Sequence, residues 1–212
     1  YDRIITFLKL EEQRNRDLEP LEVDMTMRDY QASVFQALHA VVEFLRDEEI
    51  MTIDDWVNPA DYTGFASLAE LDEQIAREGS RGDERLLPEN SSVDTKYRQR
   101  EMLPGETHEF IGHYFDRQRQ RRDTSPIRSA RRSYAIGMIR LEGWAFWLEE
   151  MMMHAGYLDE RPIRSREIPY LQAAFRSCRA VADLKMHSNE FSLQEAIDYA
   201  CDCAPNGRPT PR

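Results

Sequence analysis

"LPGETHEFIGHYF", residues 103–115, is the stretch on which the reading of this chain turns. It holds His108 and His113 five residues apart, with Glu109 beside the first. Each residue of a regular α-helix turns the chain by about 100°, so side chains five apart splay by about 140°. Two histidines four apart would sit about 40° from each other and could share one metal ion. A π-bulge absorbs one extra residue in a turn and returns positions five apart to a common face. Gly112 is placed to tolerate that distortion and to let the backbone approach a metal closely. The spacing therefore predicts a helix over about 106–121 that is bulged or broken between Glu109 and His113. On this reading His108 and His113 are metal ligands, and Glu109 is the carboxylate that takes a proton from water, as in a His-Glu-x-x-His helix. The competing reading is an exposed acidic helix that happens to hold two histidines.

A third ligand is sought downstream. "AIGMIRLEGWAFWLEEMMMHAGYL", residues 135–158, is apolar nearly all round, the pattern of a helix buried in the middle of a protein. The helix is predicted over about 127–155, ending at Gly156. Glu142 sits at its centre, and a buried ionised carboxylate is costly unless it is paired or metal-bound. Two histidines from one helix and one glutamate from the next fit a hydrolytic zinc site, which keeps a fourth position open. Glu149, two turns further along the same face, is expected to support a ligand from behind. The alternative for Glu142 is a salt bridge to Arg140 or to a neighbouring helix.

The next predicted helix, about 168–187, carries Arg176, Arg179, Asp183 and His187 at spacings of three, four and four. All four fall within an arc of about 80° on an otherwise apolar, hence buried, helix. Arg176 or Arg179 could bind a substrate carboxylate bidentately. His187 could donate a hydrogen bond to a developing oxyanion, and Asp183 could orient a histidine. A solvated stripe with internal i,i+4 pairs is the plainer alternative.

The rest of the chain reads as mostly α. A first helix is expected over 2–18. A second starts near Thr26 with Asp29 in a capping box and places Val34, Ala37, Leu38, Val41, Val42 and Leu45 on one stripe. Residues 51–96 read as short helices and long loops, with 79–95 a loop or lid. A last helix starts at the capping box "SLQE" and ends near Cys201, and 204–212 is a tail.

Composition narrows the classes. The chain has 212 residues and a formal net charge of −11, from 39 acids and 28 bases. That argues against nucleic acid, which calls for basic patches. No run approaches the 18 or so apolar residues of a membrane span. Tyr1 opens the chain without an initiator Met, so either the true start was removed or this is a piece of something longer, and the lack of a signal-peptide pattern favours the cytoplasm. Cys178, Cys201 and Cys203 are too few for a disulfide framework and read as reduced, packed thiols.

Taken in order, "HEFIGH", "EGWAFWLEE", "RAVADLKMH" and "EAIDY" resemble the motifs of bacterial domain-of-unknown-function family 885, which is similar to the zincin class of metallopeptidases. The likeness runs from about Tyr97 to Ala200. "HEFIGH" is also locally similar to the His-Glu-x-x-Gly-His hexapeptide of dipeptidyl peptidase III, a zinc peptidase with Glu as third ligand. The family pattern carries a proline before the glycine that this chain lacks. The resemblance implies a mainly α, zincin-like (gluzincin-like) metallohydrolase domain with a small sheet edge at "REMLPG" before the His-Glu helix. It also implies that 1–212 is one domain, the C-terminal, motif-bearing part of a longer architecture whose N-terminal half or partner subunit lies elsewhere.

The expectation is a Zn2+-dependent hydrolase, a metallopeptidase acting on small peptides. His108, His113 and Glu142 hold the metal, Glu109 is the base, and His187 steadies the oxyanion. Two other classes fit the same letters: a metal-dependent tailoring enzyme (a lyase or amide hydrolase) on a small metabolite, and a non-catalytic helical subunit that binds a partner.

Overall fold

Thr26 accepts a hydrogen bond from the Asp29 backbone N–H at 3.1 Å while the Asp29 carboxylate turns back to Thr26, the expected capping box. It opens α1, Met27–Asp47, in a computed structural model that describes residues 25–79, 101–129 and 134–203 together with positions 3, 6 and 82. The helix expected over 2–18 lies outside the described residues except for Arg3 and Thr6, which are helical. The loop or lid at 79–95 lies outside them except for Gly79 and Gly82, and the tail 204–212 lies wholly outside.

Two short helices follow, α2 (Ala60–Thr63) and α3 (Leu68–Glu78). Then come α4 (Leu103–Glu106), a π-helix over Thr107–Phe115 and α5 (Asp116–Arg122). The chain continues through α6 (Pro126–Ser129), α7 (Tyr134–His154), a 3-10 turn (Ile163–Arg166), α8 (Glu167–His187) and α9 (Leu193–Cys203). The architecture is mainly α, and the described residues contain no strand. Where a sheet edge was expected at "REMLPG", Leu103 opens the helix that leads into Thr107–Phe115, Glu101 and Met102 form no strand, and Arg100 lies outside the described residues. Pro104 sits where a helix needs no N–H, and Glu101 accepts the Leu103 N–H at 3.2 Å. No described helix is long and apolar enough to cross a membrane.

The chain forms two compact units, one of residues 24–88 and 101–160, the other containing 161–212. In the first, Leu38, Val41, Val42 and Leu45 of α1 meet Phe110, Ile111 and Phe115 of the π-helix and Leu148 and Met152 of α7 in one core. Burying a Leu or Phe side chain contributes roughly 1.5–3 kcal/mol. The π-helix is thus held in place by its apolar side, which fixes the direction of its polar side. α3 adds a smaller cluster through Ala32, Phe65 and Leu71.

α7 departs from the expectation of a helix buried on every side. Ala145, Leu148, Glu149 and Met152 are buried, but Ile139 is 76% and Trp147 54% exposed. An all-round apolar pattern gives no direction to the solvent-facing side. α7 packs on the π-helix along one face and shows the other to water.

In the second unit α8 packs on α9, whose start is capped by Ser192 and Glu195 as expected. Cys178 and Cys203 are joined in a disulfide, not left as packed thiols, and Cys201 is the free cysteine. The reason is antiparallel geometry. Cys178 lies nine residues before the end of α8 and Cys203 ten after the start of α9, so a helical hairpin brings them level. Their Cα atoms are 5.8 Å apart, within disulfide range.

Candidate metal centre

His108 and His113 lie one π-turn apart, so the i→i+5 ladder stacks them on one side of the helix. Their ring centroids are 4.6 Å apart with planes at 84°. The distortion foreseen near Gly112 is present and extends over all nine residues of the π-helix. Gly112 lies within it and has a further task that the sequence did not show. A Cβ there would lie 2.4 Å from Ala145 Cβ and 2.7 Å from Ala145 Cα, so the missing side chain lets the π-helix and α7 touch.

That close approach brings up the third group. Glu142 on α7, one turn before Ala145, sends Oε2 to 3.7 Å from His108 Nε2 and Oε1 to 3.6 Å from His113 Nε2. The ligand atoms of His108, His113 and Glu142 all lie within 4.8 Å of one another. Tetrahedral zinc with bonds of about 2.0–2.2 Å spaces its ligands about 3.4 Å apart. The three side chains suit such an ion once they draw in by up to about 1.4 Å. Glu142 is not the buried carboxylate expected from the sequence, for its side chain is 50% exposed. The alternative salt bridge from Glu142 to Arg140 is not made. Arg140 grips Asp116 with both terminal nitrogens, at 2.6 and 2.5 Å, and so clamps α7 to the start of α5.

The buried carboxylate is Glu149. It lies 2.6 Å from His108 Nδ1, where a carboxylate can accept the ring N–H, and the Nε2 atom of the same ring faces Glu142. His113 Nδ1 is buried without a hydrogen-bond partner among the described residues. Burial holds the His113 imidazolium below its usual pKa range, helped by the charges of His108 and Arg117 and opposed by Glu142 and Glu109. A neutral imidazole is the form that ligates metal. Glu109 is half-buried on the same turn, its carboxylate close enough to act on His113.

The structure brings together His108, Glu109, His113, Glu142 and Glu149. Arg176, Arg179, Asp183 and His187 belong to the other unit and are described within it. Arg179, Asp183 and His187 are exposed, so the stripe lies on the solvent face of α8, not on a buried helix. Asp183 and His187 form an i,i+4 pair at 3.4 Å, and Arg179 lies over the Phe175 ring at 5.5 Å. Sequence reasoning passed over the Arg140–Asp116 clamp and over Arg117. The signal for Arg117 was its place four residues after His113 in "HYFDRQRQRR".

No curated protein matches this chain, and no solved structure does. The family described as bacterial protein of unknown function (DUF885) matches residues 91–209, 119 of the 212. The match takes in every residue named above from His108 to His187, and the chain belongs to this family.

Proposed function

We propose that this protein is a zinc-dependent hydrolase, a metallopeptidase acting on small peptides, with His108, His113 and Glu142 as the metal ligands. The observation that carries the reading is the meeting of those three ligand atoms within 4.8 Å from two separate helices. Zinc held there supplies Lewis acidity, which polarises a carbonyl and eases the deprotonation of water. Glu109 receives the proton at its carboxylate and delivers it to the leaving amine nitrogen. Glu149 holds His108 in the tautomer that presents Nε2.

The test is Glu109→Gln assayed against a peptide library. The variant should keep stoichiometric zinc and lose cleavage by at least about a hundredfold, the share typical of a general base. Wild type that holds zinc yet cleaves no peptide would point to metal-dependent chemistry on a small metabolite instead. Protein that holds no zinc at all would favour a helical subunit without catalysis.

A further inference from the structure

The helix that bears the two histidines does not stop at the metal centre. Asp116 keeps helical angles (φ −59°, ψ −41°), so the π-helix runs into α5 without a break. Arg117 follows His113 by four residues and Arg121 follows Arg117 by four, so both continue the histidine face. The setting is unusual for this chain. Residues 117–132 hold seven of its 28 cations and one acid, Asp123, although the whole carries −11.

The arginines of this segment are not equivalent. Arg119 lies over the Phe115 ring at 6.0 Å. Arg122 lies over Trp56 at 4.1 Å and donates to the Gln118 side chain at 2.9 Å. Arg117 and Arg121 are exposed and make no ion pair or ring contact among the described residues. Among the four described side chains Arg117, Arg119, Arg121 and Arg122, the two uncommitted guanidinium groups are therefore the two in line with the histidines. Helical rise puts their Cα atoms about 6 and 12 Å beyond His113 along the axis. An extended peptide advances about 3.3 Å per residue.

We propose that Arg117 and Arg121 form the anion-recognising end of the substrate site and select peptides with a carboxylate about two to four residues from the scissile bond. A guanidinium pairs with a carboxylate through two parallel hydrogen bonds, which fixes direction as well as charge. The inference rests on the peptidase reading of the metal centre. It moves substrate anchoring from Arg176 and Arg179 to the helix that carries the histidines.

Fluorescence anisotropy of the whole chain with added zinc tests it. The probes are fluorescein-labelled Ala-Phe-Ala-Leu with a free C-terminal carboxylate and the same peptide as its C-terminal amide. Wild type should bind the free acid at least about tenfold more tightly than the amide, the worth of one good charge-assisted pair. The double variant Arg117→Gln, Arg121→Gln should lose that preference with amide binding and zinc content unchanged, while Arg176→Gln, Arg179→Gln should keep it. Equal binding of both probes by wild type, binding of neither, or a preference that survives in the Arg117, Arg121 variant would overturn the proposal. So would loss of the preference in the Arg176, Arg179 variant. Zinc content separates the two readings: zinc bound with no preference defeats this inference alone, and absence of zinc defeats the metal centre beneath it.

Discussion

Gly112 and Ala145 stand so close that a methyl group on the first would lie 2.4 Å from the Cβ and 2.7 Å from the Cα of the second. Glu142 is three residues before Ala145, and His113 is next to Gly112. The closeness of π-helix and α7 therefore sets the distance between the ligands. Gly112→Ala should destabilise the protein by about 1–3 kcal/mol through overpacking and weaken zinc binding with it. Thermal unfolding and a zinc competition titration read the two effects. Adding Ala145→Gly should return only part of the loss, because the new methyl group still crowds the backbone of residue 145. Unchanged stability and zinc affinity in Gly112→Ala would mean the helices have room to spare.

Glu149 should act on metal affinity and not only on folding. Glu149→Gln keeps the shape but replaces the carboxylate that takes the His108 N–H at 2.6 Å. Loss of such a supporting group typically costs about 10–100-fold in metal affinity. A chromophoric-chelator titration measures it, and an affinity within twofold of wild type would remove Glu149 from the site.

The Cys178–Cys203 bond closes a loop of 25 residues, for which the chain-entropy relation gives about 3.5 kcal/mol at 25 °C. Reduction should lower the stability of the α8–α9 hairpin by that order, visible as a lower denaturation midpoint. Mass spectrometry after alkylation of the unreduced, unfolded chain should find one modified cysteine, Cys201, and three after reduction. Three modified cysteines before reduction would contradict the bond.

The metal-free protein should be sensitive to acid through His113. Burial holds its folded pKa below the ordinary value of about 6.5. The unfolded chain thus binds the proton first. His113 contributes stability that is fully present above about pH 6.5 and is lost as pH falls through the folded pKa. His113→Gln should flatten the stability profile of metal-free protein below that pH, as followed by denaturant titrations between pH 5 and 8. An unaltered slope would place the acid sensitivity elsewhere.

Much of the site was legible because its signals are local. The five-residue spacing of His108 and His113 demanded a π-turn, and the capping boxes at Thr26 and Ser192 marked helix starts to within a residue. Glu142 does meet the two histidines, but not as the buried carboxylate expected. Glu142 was read as buried because its neighbours are apolar, but Ile139 and Trp147 face water, and the candidate site lies at an open edge of α7. Hydrophobic period could not orient a helix with apolar residues on every side. The disulfide was hidden because cysteine count says nothing of register, whereas equal distances from the α8–α9 turn do. "REMLPG" was read as a sheet edge by resemblance, although Pro104 suits a helical first turn. Gly112 was read for the bulge alone, and its close contact with Ala145 of α7 was not legible.

The central claim is that His108, His113 and Glu142 hold one zinc ion. Anomalous diffraction at the zinc edge, from crystals of the zinc-loaded protein, tests it most directly. The account predicts a single strong peak about 2.0–2.2 Å from His108 Nε2, His113 Nε2 and a Glu142 carboxylate oxygen. No peak there, or a peak held by other side chains while the imidazoles stay free, would contradict it.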